Sequence, residues 1–274
     1  MLSLIIRIVR YRLEAVNYRM HNPATIAAQL KDLGLVAGMD VLVHSSLRRL
    51  GPVDGGADAI IDVLLEAIGR EGTLMMSTVS GMVNAGQPVF HVAHTPCDVG
   101  ALSNVFRQRP GATRSLHPVH SIAALGPKAA FYTAGHLECA TPWSPDSPYG
   151  RLMRNGGWVL FLGANFDANT CIHALEIEAR VPGLHGEETT VLNVFDYDDT
   201  LHQVEHHWHA PKICKYPDLE PVVEQAGGLT YGQVGSSMCR LVDAEKLRAT
   251  LLPVFQKTPE LGVIALSESS FVWE

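Results

Sequence analysis

Cysteine is sparse and unpaired in this chain. The five present among 274 residues, Cys97, Cys139, Cys171, Cys214 and Cys239, are odd in number and scattered. That distribution fits neither a disulfide framework nor a paired C-x-x-C zinc site, so a reducing cytoplasm is the expected compartment. Lysine and arginine form no run, and the formal net charge is −7. Such a balance excludes a general nucleic-acid binder, because phosphate would be repelled. No stretch approaches the ~20 apolar residues of a transmembrane helix, so no membrane span is expected. Three short motifs are also missing: G-x-x-x-x-G-K, G-x-G-x-x-G and G-x-S-x-G. Their absence removes the best sequence support for nucleotide hydrolysis, a Rossmann-type redox cofactor and a serine hydrolase.

What is abundant is apolar sequence, at 47% of the residues, enough to bury a large core. Aliphatic runs at 40–44 and 157–163 alternate with helix-like stretches, the pattern of strands covered by helices on both faces. The expected fold is α/β, three layers with a mostly parallel or mixed central sheet, in a single domain over 1–274. Residues 1–21 read as an amphipathic helix, with Leu2, Ile6, Val9, Leu13 and Val16 on one face. That face packs on its own domain or on a subunit partner, so a homodimer is compatible; a membrane-surface helix is the other reading.

Asn22 and Pro23 are a helix start, as N-cap and first helical residue. Strands are expected at 40–44, 73–77, 121–125 and 157–163. A glycine-bearing loop at 45–56 leads into a helix at 57–68. Residues 81–96 read as a long irregular loop, Asp98 as the cap of the next helix, and 142–150 as a polar loop. Thr170 is expected to cap a helix to Ala179. A hairpin about Asp198 and Asp199 follows, then strand and helix to Phe255.

Within the helix pattern of 170–179, His173 and Glu176 lie three apart and so share a face one turn from the N-terminus. An amine attacks a thioester only as the free base, and imidazole is the usual acceptor of its proton. Glu176 can orient the ring or hold the incoming ammonium. The helix opens after the carboxyl end of the strongest strand, where ligand sites of open α/β sheets collect. The His44–Leu47 loop also follows a strand's carboxyl end, and its hydroxyls and N–H groups suit a pyrophosphate.

Several segments resemble, in order, the motifs of the aminoglycoside 3-N-acetyltransferase family. They are Val43–Leu47, Gly72–Thr78, Arg114–Pro118 with Ser121, Gly126 with Pro127, Ser147–Arg151 and Asp167–Glu176. The resemblance covers residues 24–182 well and 232–255 loosely. It implies a three-layer α/β fold, acetyl-CoA as acyl donor without a metal, and direct transfer to a small-molecule amine in a ternary complex. By motif position His173 becomes the general base and Glu176 its supporting carboxylate. Ser45, Ser46, Thr78, Arg114, His117 and Ser121 become candidates for the CoA side, and Asp167 and Asn169 for substrate binding.

The departure is the acceptor-side segment 186–220, acidic in the family but here rich in histidine and lysine. This weakens the case for a polycationic acceptor, although Asp196, Asp198, Asp199 and Glu205 remain available to one. An amino sugar fits at least as well. Two other readings stand beside the acyltransferase: a zinc hydrolase built on His202, His206, His207 and His209, and a non-catalytic CoA-binding relative. A thiol mechanism through Cys171 is disfavoured, since positions two apart on a helix do not face each other.

Overall fold

The computed structural model describes residues 20–265, apart from 85, 211, 260 and 262. The expected helix at 1–21 therefore lies almost wholly outside the described residues.

In chain order the elements begin with α1 (Pro23–Leu33), β1 (Asp40–Ser45), α2 (Leu47–Leu50), α3 (Gly56–Ile68) and β2 (Thr73–Ser77). Next come α4 (Gly81–Asn84), β3 (Val89–His91), α5 (Ala101–Phe106), β4 (Thr113–Arg114), β5 (Ile122–Leu125) and α6 (Ala129–Thr133). The centre of the chain supplies α7 (Pro148–Arg154), β6 (Trp158–Leu162), α8 (Thr170–Glu178), β7 (His185–Phe195), β8 (Leu201–His209) and β9 (Lys212–Cys214). The last part gives α9 (Glu220–Gln225), β10 (Leu229–Val234), β11 (Ser237–Asp243), α10 (Ala244–Lys257) and β12 (Val263–Ala265).

Seven strands form a mixed sheet in the order β10-β11-β6-β1-β2-β5-β4. Only β1 is parallel to both of its neighbours, β2 and β6; the outer pairings are antiparallel. The two-residue period of a strand splits the apolar runs between two cores. Leu42, Met75, Val159 and Phe161 face the layer of α6, α7, α8 and α10. Val41, Val43, Leu74, Met76, Leu160 and Leu162 face α1, α3 and α5. This is the three-layer architecture expected from strands without a polar face. A second sheet, β3-β7-β8, packs around its own cluster of Phe90, Val92, Val119, Leu192 and Val194.

Asn22 caps α1 as expected, its side chain accepting from the N–H of Ala24 at 2.8 Å. Other boundaries differ. The region 81–96 contains α4 and β3, the latter fixed by pairing with β7, which lies a hundred residues on. Asp98 caps nothing; the position before α5 is Gly100. The expected loop at 142–150 turns helical at Pro148, because Ser147 caps α7 and proline suits its first turn. The cap of α8 is Asn169, one residue earlier than expected. No helix among the described residues is long and apolar enough to cross a membrane.

Candidate active site

The carboxyl ends of β1 and β6 lie side by side, with Ser45 paired to Leu162 and the N–H of Ser46 donating to the Leu162 carbonyl at 2.9 Å. Gly163 permits this closure: its φ is +74°, and a Cβ there would sit 2.8 Å from the Ser46 carbonyl oxygen. Over these ends opens a cavity of about 430 Å³, walled by His44, Ser45, Ser77, Gly100, Ser103, His120, Asp167, Asn169, Thr170 and His173, among others.

Helix α8 starts at the cavity rim. The Asn169 side chain accepts from the N–H of Cys171 and ties off one of the helix's initial N–H groups. Four residues on, and so on the same face, His173 lines the cavity. Its Nδ1 lies 3.0 Å from Oε2 of Glu176, which is fully buried. Tyr216, from the turn before α9, completes a triangle. Its hydroxyl donates to Glu176 Oε2 at 2.9 Å and lies 2.9 Å from His173 Nδ1. One arrangement satisfies all three contacts: Nδ1–H donates to the carboxylate and the phenol oxygen, and the phenol O–H donates to the carboxylate. The proton-accepting nitrogen of neutral His173 is then Nε2. Trp143 and His209 enclose the ring, with centroids 4.7 and 5.0 Å away.

The family model for aminoglycoside 3-N-acetyltransferases matches residues 42–256. The chain belongs to this family. It is 33% identical over 243 residues to aminoglycoside N(3)-acetyltransferase IV of Salmonella, covering 86% of this chain and 88% of that one. With aminoglycoside N(3)-acetyltransferase VII of Streptomyces paromomycinus it shares 36% identity over 60% of this chain and 64% of the relative. The solved apoenzyme of aminoglycoside acetyltransferase AAC(3)-IVa superposes with a TM-score of 0.79 at 29% identity, over 90% of this chain and 92% of that one. AAC-IIIb in binary complex with CoASH superposes at 0.74 and 26% identity, over 87% and 97%. As a member of this acetyltransferase family the chain is an acyltransferase.

The other residues singled out in the sequence are dispersed within this acetyltransferase. Of the six CoA-side candidates, Ser45 lines the cavity, and Ser46 stands next to it at the start of α2. Thr78, Arg114 and Ser121 form a separate buried cluster that does not line it. Arg114 there donates to the Thr78 and Thr95 carbonyls and to the hydroxyls of Ser80, Ser121 and Thr78. Burial, together with nearby Arg107, pushes its pKa down to about 10, so it stays charged at neutral pH. His117 is buried beside His136 and His206, and its Nδ1 accepts from the N–H groups of Val119 and His120. Both substrate-side candidates, Asp167 and Asn169, line the cavity.

The four histidines of the zinc reading do not converge, since strand alternation and length separate them along β8. His202 pairs with Asp196 at the hairpin turn, His206 packs on His117, His207 faces outward, and His209 reaches His173. The carboxylates left available to a polycation are also elsewhere. Asp196 accepts from backbone N–H groups of its own turn, Asp199 pairs with His91, Glu205 accepts from Thr189, and none of these, nor Asp198, lines the cavity. The cavity's own carboxylate is Asp167.

Sequence spacing missed Tyr216, His44, His120, Ser103 and Trp143. Tyr216 lies 40 residues beyond Glu176 and carries no local signal. Cys171 is fully buried, and burial pushes its thiol up to about 12, which removes the thiolate a nucleophile needs.

Proposed function

We propose that this chain is an N-acetyltransferase that moves the acetyl group of acetyl-CoA directly to a primary amine of an amino sugar or aminoglycoside-like molecule. Residues 1–274 act as a single domain in the cytoplasm. The observation that carries the reading is the His173–Glu176–Tyr216 triangle on the wall of the cavity over the strand ends. Nε2 of His173 takes the proton of the amine as its nitrogen bonds to the thioester carbon. The tetrahedral adduct then collapses, the C–S bond breaks, and the thiolate of CoA recovers that proton. Glu176 holds the imidazole in the tautomer with Nε2 as acceptor and offsets its charge once protonated. Ser45 and Ser46 stand where CoA enters.

The acceptor carries one ammonium near the reacting centre, because Asp167 is the carboxylate that walls the cavity. A singly charged amino sugar accordingly has a higher kcat/KM than a kanamycin-type polycation. The reverse order would place the acceptor among the aminoglycosides named in the relatives.

The test is a thermal melt with acetyl-CoA followed by thiol release with a panel of amines. A ligand bound only to the folded state adds about 2.7 kcal/mol at a hundredfold excess over Kd, a clear rise in Tm. Absence of that rise at millimolar acetyl-CoA removes the donor assignment. A rise without thiol release for any amine leaves a non-catalytic CoA-binding relative. Replacing Ser45 and Ser46 together with alanine weakens the shift.

A further inference from the structure

One ligand atom each of His173, Glu176 and His209 lies within 4.8 Å of the others. Two imidazoles and a carboxylate are the donor set of His2Glu zinc sites, in which three protein ligands leave a fourth position open. We propose that these residues form an inhibitory site for a divalent transition-metal ion, zinc in the first instance, which switches the acyltransferase off by capturing its own base. This site is unrelated to a hydrolase.

Three further features fit. His209 Nδ1–H donates to the Ala210 carbonyl at 3.0 Å, so Nε2 carries the lone pair. A backbone carbonyl on the other ring nitrogen is the usual support of a metal-bound histidine, since it fixes tautomer and ring orientation. Glu176 is fully buried, and its Oε2 is already 3.0 Å from His173 Nδ1. Replacing the shared proton by a metal turns that contact into a pair of adjacent ligands, with the Tyr216 hydroxyl beside both, still able to donate to the carboxylate. The site is reachable, because His173 forms part of the cavity wall and its side chain is 21% exposed. Trp143 packs against both histidines, tilted on His173 at 4.7 Å and edge-on to His209 at 5.3 Å, and limits their reorientation.

Inhibition follows from proton bookkeeping. A metal on His173 Nδ1 displaces the proton held there, and that proton passes to Nε2 so that the ring stays neutral. That nitrogen can then no longer accept a proton from the amine. Imidazole donors favour zinc, cobalt, nickel and copper over magnesium and calcium, which seek oxygen ligands.

The inhibitory half of this proposal rests on His173 being the base; the binding half does not. The experiment uses full-length protein without a histidine tag. Zinc added in a metal buffer lowers the acetyl-transfer rate at least about tenfold, EDTA restores it, and magnesium at the same concentration does nothing. Cobalt gives the visible absorption of a four-coordinate N/O site at one ion per chain, without the thiolate charge-transfer band that cysteine ligation would add. His209→Phe retains an aromatic ring against Trp143 but has no lone pair. It weakens cobalt binding and raises the half-inhibiting zinc concentration at least about tenfold, the scale set by losing even a supporting group of a metal site. Equal inhibition of wild type and His209→Phe, or no cobalt band in wild type, overturns the proposal. Stoichiometric cobalt binding without inhibition would instead keep the site and remove His173 as base. If His209→Phe does not fold, Glu176→Gln with cobalt absorption as the readout serves in its place.

Discussion

Two buried polar clusters lie a few residues apart in this chain and are built on opposite principles. Around Arg114 every donor is spent: the guanidinium bonds to three backbone carbonyls and three hydroxyls, and Ser121 Oγ donates in turn to the Thr78 carbonyl. Beneath the cavity the accounts stay open. His44 Nε2, His120 Nδ1 and Asn169 Nδ2 are buried side-chain atoms without a hydrogen-bond partner, and all three residues line the same cavity. Buried polar groups are normally paired, and leaving one unpaired costs about 1–3 kcal/mol. A closed network holds a fold; an open one is kept where a ligand completes it. The sequence motifs drew residues from both clusters alike, and the hydrogen-bond inventory separates them.

The sharpest break in that comparison is His173→Ala. Removing a general base costs about 10²–10⁴-fold in rate, while the thermal shift with acetyl-CoA persists, because the donor pocket is untouched. Part of the loss returns at alkaline pH as the amine deprotonates unaided. A variant that keeps more than about a tenth of wild-type kcat near neutrality would sink the mechanism.

Arg114→Met probes the closed cluster and has the opposite signature. It strands the Thr95 and Val92 carbonyls in the interior, while the Thr78 carbonyl keeps Ser121, at a cost of at least about 2 kcal/mol in stability. Below its lowered Tm it retains near-normal kcat. Chemical denaturation and steady-state kinetics on one preparation check both. A stable variant with weakened acetyl-CoA binding would return Arg114 to the donor site.

The central histidines make the fold itself sensitive to acid. Burial pushes His44, His136 and His206 down to about 4, and His117 and His120 well below the usual range, the last two helped by neighbouring histidines. Folded pKa values lie below unfolded ones, so between about pH 4 and pH 6.5 the unfolded chain binds more protons, and stability rises with pH across that window. His136 illustrates the cause: its ring is buried, and that desolvation outweighs the hydrogen bond to the Pro142 carbonyl, which by itself favours the charged ring. Urea unfolding at several pH values should give a slope worth more than one proton. A flat profile would mean that these rings charge without penalty.

The sheet was legible because its strands are apolar on both faces, and 73–77 was bounded to the residue. That His173 and Glu176 share a helix face was legible from their spacing, while a role for the pair came from its place after the strongest strand and from the resemblance. Most of what was lost depended on contacts distant in sequence. β3 exists through pairing with β7, and the start of α7 depended on a Ser147 cap read as loop. Histidines that looked like one zinc cluster were parted by the strand that carries them. Tyr216 could not be read at all, since nothing in 216–219 marks a partner for residues 173 and 176.

Tyr216→Phe is the smallest and most exacting change. It keeps the ring, which is buried and packs edge-on to His173 at 5.5 Å, and removes the O–H that bonds Glu176 Oε2. The carboxylate keeps its contact with His173, so the net loss is that of a single hydrogen bond to a charged group, about 1.5–3 kcal/mol at most and less where water enters. Because the Tyr216 hydroxyl meets His173 at Nδ1 and not at Nε2, the loss falls on how firmly the imidazole tautomer is held and not on either substrate. Accordingly kcat falls by roughly tenfold and KM for acetyl-CoA is unchanged. His173→Ala and Tyr216→Phe act through one unit, so combining them should cost little more than His173→Ala alone. An additive loss in the double variant would place the tyrosine on a substrate rather than behind the base.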